Sequence, residues 1–457
     1  MKIAVTSLGC NKNLVDTEVM LARLQKAGCV IVDEPELADC LLINTCSFLT
    51  EAVEESLDRI VELASLKGPE GPRRLVVTGC MVARYGEDLL KEVPEIDALV
   101  LPAELDNVVA AVSGGQQSEA QSAKSERIQV VNTQFSTLNA PLSTPNSQLS
   151  FPPRVLSFPP HRAYLKIGEG CSNRCSYCLI PSIRGDFSSR SVPSLTAEME
   201  HLVGSGVREI TLVAQDSGRY GIDLAGTGGG PGLPGLVNSL LGVPGDYWLR
   251  VLYVHPARVT GELLEAMISD PRICPYLDIP FQHVAPQVLA RMGRGDAPAP
   301  MEVVKRVRAA VPGVFIRTTL MTGFPGETRE DFERLREFVR EAGIDHLGVF
   351  SYSCEEGTAA SRMGAQVPGE VAKERAETLM EEQSEVSAGL LRGLVGREMT
   401  VMAEGFDEEG SFGRHQGQAP EVDGVVRVDE GVEAGSFVQV KIVDSGIHDL
   451  KGEVLDT

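Results

Sequence analysis

Between residues 162 and 352, six strand-like runs alternate with helical ones, and this rhythm narrows the fold more than any other feature of the chain. The strand-like runs are 163–167, 209–214, 248–254, 277–279, 314–319 and 346–352; helical spacing fills 195–204, 261–268, 301–311 and 330–342. Strands alternating with helices argue for a parallel sheet under helical cover. Six such units predict a partial (β/α) barrel of the TIM type, whose active site lies at the C-terminal ends of its strands.

The first hundred residues repeat the rhythm on a smaller scale. Strands are expected at 2–7, 39–44 and 74–78, and helices at 14–27, 50–64 and 86–93. This is an α/β pattern with a second parallel sheet. Between the two blocks, residues 112–160 are rich in Ser, Gln, Asn, Thr and Pro, and the pentapeptide LSFPP occurs at 149–153 and again at 156–160. Such a stretch reads as a flexible linker or insertion between domains. Beyond 352, one long helix is expected at 372–394, and the short β runs and glycine turns of 399–454 predict a small β-barrel. The expected domains are 1–111, a linker at 112–160, 161–394 and 395–457. The glycine-rich stretch 218–245 lacks a strand–GxGxxG–helix context, so it reads as a mobile loop and not as a dinucleotide site.

Charge limits the partners. The chain has 457 residues, with 42 Lys+Arg against 64 Asp+Glu and a net charge of -22. Residues 1–111 hold 10 basic and 19 acidic residues, and 397–457 hold 5 and 14, so both ends are net -9. Phosphate backbones are held by Lys and Arg, which makes this a poor generic binder of nucleic acid. The acidic ends serve either solubility or the docking of a basic partner. No window is apolar for 18 residues, and the start MKIAVTSLGCNKN lacks a signal-peptide core. Ten cysteines without an export signal point to metal or redox chemistry in a reducing cytoplasm.

The sharpest motif is Cys171-Ser-Asn-Arg-Cys175-Ser-Tyr-Cys178, in the loop after the strand 163–167. Three thiolates at CxxxCxxC spacing suit three irons of a 4Fe-4S cubane, leaving the fourth iron open to a cofactor or substrate. A second set is dispersed. Cys10 follows the first strand in LGCNKN, Cys46 the second in INTCSF, and Cys80 the third in VTGCMV. Parallel strands bring those ends to one edge, which makes a second three-thiolate cluster plausible beside the alternative of buried core thiols. Cys29, Cys40, Cys274 and Cys354 lack such placement and read as core residues.

These residues resemble the radical S-adenosylmethionine (SAM) methylthiotransferases, over nearly the whole chain except 112–160. Within that family, Pro181-Ser-Ile-Arg-Gly-Asp186, Gln215-Asp-Ser217, Tyr276-Leu-Asp-Ile-Pro-Phe-Gln-His283 and Tyr352-Ser-Cys-Glu-Glu-Gly-Thr358 are similar to the branch acting on a ribosomal protein. The tRNA branch carries Arg-Pro before Gly-Thr, where this chain has Glu355-Glu356. The resemblance implies a methylthio group placed on the β-carbon of an aspartate in small-subunit ribosomal protein twelve. It implies a 4Fe-4S cluster on Cys171, Cys175 and Cys178 that chelates SAM and cleaves it to methionine and a 5′-deoxyadenosyl radical. An auxiliary 4Fe-4S cluster on Cys10, Cys46 and Cys80 would carry the sulfur, and a second SAM the methyl group. A terminal TRAM β-barrel, an electron donor such as a flavodoxin or ferredoxin, and a sulfide source complete the expectation.

Further residues are candidates for the same site. The segment 318–327, TTLMTGFPGE, resembles one lining the SAM pocket, which puts Gly323 there; Tyr177, Gln215, Asp216 and Arg317 are the other expected cofactor contacts. Asp278, Gln282 and His283 close a barrel strand and are candidates for the substrate. Arg184 follows the cysteine loop and could pair with a carboxylate of SAM or of the substrate, as could Arg190. The rival readings are a tRNA adenosine methylthiotransferase, which would need a basic tail, a non-catalytic iron–sulfur electron carrier, which would ligate every iron with protein, and an RNA-binding module built on the terminal barrel.

Overall fold

A computed structural model of the chain describes residues 1–69, 71–114, 129–130, 151–157, 159–224 and 230–455. Most of the expected linker, 115–128 and 131–150, lies outside them. The chain divides into two compact units: residues 1–157, 169–172 and 179–187 form the first, and 158–168, 173–178 and 188–457 the second.

The first unit is a parallel sheet with helices on both faces. Its strands are β1 (Lys2–Ser7), β2 (Val30–Val32), β3 (Cys40–Thr45), β4 (Arg74–Gly79), β5 (Ala98–Val100) and β6 (Gln129–Val130), in spatial order β2-β1-β3-β4-β5-β6. Every residue of β3 is buried, as a central strand covered twice must be. On one face Leu41, Ile43, Leu75 and Val77 pack under α2 (Thr50–Ser65), α3 (Cys80–Tyr85) and α4 (Glu87–Glu92). On the other, Ile3, Leu42 and Val76 meet Met20 and Leu24 of α1 (Asn11–Lys26) and Val108 and Val112 of α5 (Val108–Ser113). The strand order reverses between β1 and β3. Outside the carboxyl ends of such a pair, a doubly wound sheet leaves its binding crevice.

Residues 151–157, at the end of the expected linker, are held to α1 at Glu18. Glu18 accepts from the backbone and hydroxyl of Ser157, both at 3.0 Å, and pairs with Arg154 at 3.5 Å. Prolines 152 and 153 restrict the backbone, which lowers the entropy lost on docking. The short helix α6 (Ile180–Arg184) also belongs to this unit.

Two short strands, β8 (Gly168–Glu169) and β9 (Ser188–Ser189), flank the cysteine loop in sequence. The second unit is built on β7 (Arg162–Lys166), β10 (Glu209–Val213), β11 (Trp248–Val251), β12 (Ile273–Asp278), β13 (Phe315–Thr322) and β14 (His346–Ser351). They pair all-parallel in the order β14-β13-β12-β11-β10-β7, an open six-stranded partial barrel. The crossover helices are α7 (Val192–Gly204), α8 (Gly232–Leu241), α9 (Gly261–Met267), α10 (Pro286–Arg291), α11 (Pro300–Ala310) and α12 (Arg329–Ala342). Helix α8 lies where the glycine-rich run reads as a loop. Its Leu233, Leu236, Val237 and Leu240 recur at helical spacing and are all buried, and that stripe outweighs the glycines.

Helix α13 (Gly369–Arg392) leads to a closed antiparallel-rich barrel of β15 (Glu398–Asp407), β16 (Gly410–His415), β17 (Val426–Val428), β18 (Phe437–Ser445) and β19 (Leu450–Val454), in the order β15-β16-β17-β19-β18. This small barrel sits at the starts of the parallel strands. Glu209, first in β10, is wholly buried against Arg414 and against Arg250 Nε at 2.7 Å. Asp423 binds Tyr276 at 2.8 Å and Arg317 at 2.5 Å, and His346 Nε2 donates to the carbonyl of Gly417 at 2.7 Å. Residues 173–178 of the cysteine loop belong to the second unit and follow β7. Among the described residues, no helix is long and apolar enough to cross a membrane.

Candidate metal centres

Cys10, Cys46 and Cys80 stand at the carboxyl ends of β1, β3 and β4, neighbours across the reversal point of the first sheet. Two glycines let them approach. Gly9 has φ 91°, and a Cβ there would lie 2.9 Å from Cys46 Cβ. Gly79 has φ 99°, and a Cβ there would collide with Asn44 and the Thr45 backbone. L-residues pay steric strain at such φ values, so glycine is required twice. Cys10 is also the N-cap of α1, and Cys80 opens α3.

A buried amide floor fixes the crevice. Asn13 donates to the carbonyls of Leu8 at 3.1 Å and Thr45 at 2.9 Å, and Asn44 donates to the Asn13 carbonyl at 2.9 Å. The Cys46 N–H donates to Ser56 Oγ at 3.1 Å, and that hydroxyl returns a bond to the Cys46 carbonyl at 2.9 Å. Sequence reasoning passed over Asn13, Asn44 and Ser56; of these, Asn44 in a buried strand and Ser56 on the apolar face of α2 left a signal as polar residues at positions the pattern assigns to the core.

The electrostatics reflect the convergence. Burial pushes the Cys80 thiol up to about 11, and Cys10 and Cys46 add to the rise while Arg184 opposes it. Burial also raises Cys46. At Cys10 burial is outweighed by Lys12, by the first N–H groups of α1 and by Arg184, so this thiol is lowered. Three sulfurs that feel one another suit a polynuclear cluster. In such a cluster each protein thiolate binds a different iron. Among the described residues, no three His, Cys, Asp or Glu side chains form a cage for a single metal ion.

The second triad occupies the loop after β7. In the second unit, Cys178 N–H donates to the Cys175 carbonyl at 3.1 Å, Ser176 N–H to Met292 at 3.0 Å, and Ala360 N–H to Ser176 at 2.8 Å. Arg294 reaches Cys175 Sγ at 3.7 Å and the Pro280 carbonyl at 2.6 Å. Tyr177 packs edge-on to Phe324 at 6.4 Å, within an apolar wall of Val288, Met292, Phe324 and Ala360. Burial raises its hydroxyl well above the ordinary range, and the neighbouring Cys175 adds to this. In the first unit, Gly170 has φ 75° and lies against the carbonyls of Gly185 and Asp186, and the Cys171 N–H donates to Gly185 at 3.0 Å.

Asp216 follows β10 and is buried. It accepts from Asn173 at 2.8 Å and from Arg258 Nε at 2.9 Å, so it braces the cysteine loop from below. Gln215 precedes it at the same strand end, Asp278 closes β12, and Gln282 takes φ 70° where its backbone bridges to β13. Gly323 sits just after β13; its N–H donates to Glu327 at 2.9 Å.

Three expected site residues stand elsewhere. Arg317 is third in β13, near the strand's start, and is bound to Asp423 of the terminal barrel, so it does not face the cofactor end. His283 is fully buried; Nδ1 accepts from the Ala285 N–H at 3.0 Å and Nε2 faces Glu327 at 3.4 Å. Arg184, whose side chain is 2% exposed, binds Asp16 at 2.8 Å and both Nε and Nη2 lie 3.3 Å from Cys80 Sγ. It joins the first triad and not a substrate carboxylate. Arg190 pairs with Glu198 at 2.6 Å. Among the four remaining cysteines, Cys40 and Cys274 are core residues as expected, Cys29 is half-buried, and Cys354 is exposed in the turn after β14.

An open parallel barrel with three cysteines in the loop after its first strand defines the radical SAM class. Residues 165–339 match the Radical SAM superfamily, 2–101 the uncharacterized protein family UPF0004, and 395–455 the TRAM domain. The tryptophan-bound radical SAM methyltransferase TsrM of Kitasatospora setae shares the fold, with a TM-score of 0.53 at 16% identity over 76% of this chain and 72% of that one. The ribosomal protein uS12 methylthiotransferase RimO of Geobacter sulfurreducens is 42% identical over 99% of this chain and 98% of its own length. Its counterpart in Desulforudis audaxviator is 43% identical over 100% and 97%. The chain belongs to the family of ribosomal protein uS12 methylthiotransferases.

Proposed function

We propose that this protein adds a methylthio group to the β-carbon of an aspartate in ribosomal protein uS12, using SAM and two 4Fe-4S clusters. The observation that carries this is full-length similarity, 42% over 99% of the chain, to relatives of that name. An sp³ C–H beside a carboxylate lacks a leaving group and is a poor acid, so ordinary base chemistry does not reach it. Bound SAM and a reduced cluster supply radical chemistry that does.

The chain's own residues hold and shield that chemistry. Cys171, Cys175 and Cys178 are the ligands of the radical-generating cluster, and Cys10, Cys46 and Cys80 those of the auxiliary one. The wall of Tyr177, Phe324 and Met292 offers no exchangeable proton apart from a strongly raised phenol. Gln215, Asp216 and Gly323 line the SAM end of the sheet, with Asp216 also holding Asn173. Asp278 and Gln282 lie on the same edge for the substrate. A flavodoxin or ferredoxin as reductant, a sulfide source and a cytoplasmic setting complete the reading. The full-length relatives do not favour a tRNA substrate or a simple electron carrier.

The test is to delete the gene and weigh the intact small-subunit ribosomal proteins. Ribosomal protein uS12 should lose one methylthio mass. Retention of that mass, with loss of a methylthio-adenosine from tRNA, overturns the assignment. In purified protein, Cys46→Ala should keep SAM cleavage and lose methylthio transfer.

A further inference from the structure

Arg184 is held in an unusual way for a residue with a 2% exposed side chain. Asp16, itself buried, takes Nη1 at 2.8 Å, and Glu169 takes the same nitrogen at 3.3 Å. Asn13 Oδ1 accepts from Nη2. The remaining edge of the guanidinium, Nε and Nη2, faces one sulfur, Cys80 Sγ, at 3.3 Å from each. Helix α6 brings it there by packing Leu179 and Ile183 onto Cys80. In this arrangement the Cys80 sulfur stands for the thiolate that a cluster iron would bind.

We infer that Arg184 is a positioning residue of the auxiliary centre, orienting Cys80 Sγ as a ligand and raising the centre's reduction potential. The inference rests on the reading of Cys10, Cys46 and Cys80 as cluster ligands. Reduction adds one electron, hence one negative charge, to the cluster. A guanidinium bonded to a ligand sulfur stabilises that charge, and hydrogen bonds to cluster sulfurs are a recognised lever on potential. Asp16 and Glu169 fix the fork and partly offset its charge. Two substitutions therefore move the potential in opposite directions. Arg184→Gln removes the cation and leaves two carboxylates, lowering it; Asp16→Asn keeps the cation and removes an opposing anion, raising it.

The test uses the full chain carrying Cys175→Ala and Cys178→Ala, so that the auxiliary centre alone is reconstituted with iron and sulfide. Dithionite supplies the electron, and EPR follows the potential. This background should bind about four irons per chain; no iron would sink the ligand reading itself, and the inference with it. With iron present, Arg184→Gln should shift the reduction equilibrium at least tenfold toward the oxidised form, about 59 mV for one electron. Arg184→Lys should recover part of the shift, and Asp16→Asn should move it the other way. Full iron with an unchanged potential in Arg184→Gln overturns the inference. A folded Arg184→Gln chain, of unaltered melting temperature, that loses its iron supports the ligand-orienting role. Loss of both fold and iron in the Gln and Lys variants overturns it, leaving Arg184 a structural ion pair.

Discussion

At the scale of single residues, the auxiliary triad depends on side chains that are absent. Gly79 joins β4 to Cys80 at φ 99°, pressed against Asn44 and Thr45. Gly79→Ala adds left-handed strain and a collision with backbone, so the first unit should lose roughly 1–3 kcal/mol or more. Because the collision lies one residue from Cys80, iron at this centre should fall before the fold does. Iron content per chain, read beside the melting temperature, checks both. The residues around the thiols were only partly legible in the sequence. The three cysteines announced themselves by following strands. Asn13 and Arg184 did not, because their roles depend on which helix packs against which strand end, and nothing local records that. The surroundings of His283 and Arg317 were hidden for the matching reason: a place in a strand, or just beyond its end, does not say which partner a side chain meets.

At the scale of elements, the long apolar or strongly periodic ones were readable and the shortest were not. β2 and β5 have three residues each, too few to show a period. β3 and β4 stood out because strands covered on both faces are continuously apolar. Helix α8 was hidden by its glycines and prolines, although Leu233, Leu236, Val237 and Leu240 carried the spacing. Those four side chains hold the element, so Leu236→Ala should destabilise the second unit by about 2–5 kcal/mol, a cost in the range of buried leucine truncations. Urea unfolding measures it; a change below about 0.5 kcal/mol would mean that α8 is not packed as described.

At the scale of the whole chain, the net charge of -22 is spread over a molecule whose buried charges are closely paired. Burial alone would raise the Glu209 carboxyl, but Arg414 and Arg250 hold it at about 2, below the ordinary 4.5. Burial drives His415 the other way from a cation, to about 3 from 6.5, with His346, Arg250 and Arg414 adding to the fall. Both pKa values lie lower in the folded state, so the unfolded chain binds the extra protons on acidification. The stability tied to His415 is complete above pH 6.5 and is lost as pH falls towards 3; that tied to Glu209 is complete above 4.5 and is lost towards 2. The urea midpoint of the second unit should therefore decline steadily from pH 6.5 downward. A midpoint flat between pH 6.5 and 4 would contradict the burial of His415, and one flat between 4 and 2 the pairing of Glu209.

The bond between Glu209 and Arg414 joins residues 205 positions apart. Synthesis runs from the N-terminus, and domains tend to fold as they emerge. A growing chain thus completes β10 and β11 long before Arg414 exists, and Glu209 and Arg250 face each other without their third member. The lower rim of the catalytic sheet waits for nearly the last tenth of the polypeptide. The terminal barrel is therefore less an appendage than the piece whose arrival marks the enzyme as finished, and a chain released early would carry its cysteine loop on an unsealed base.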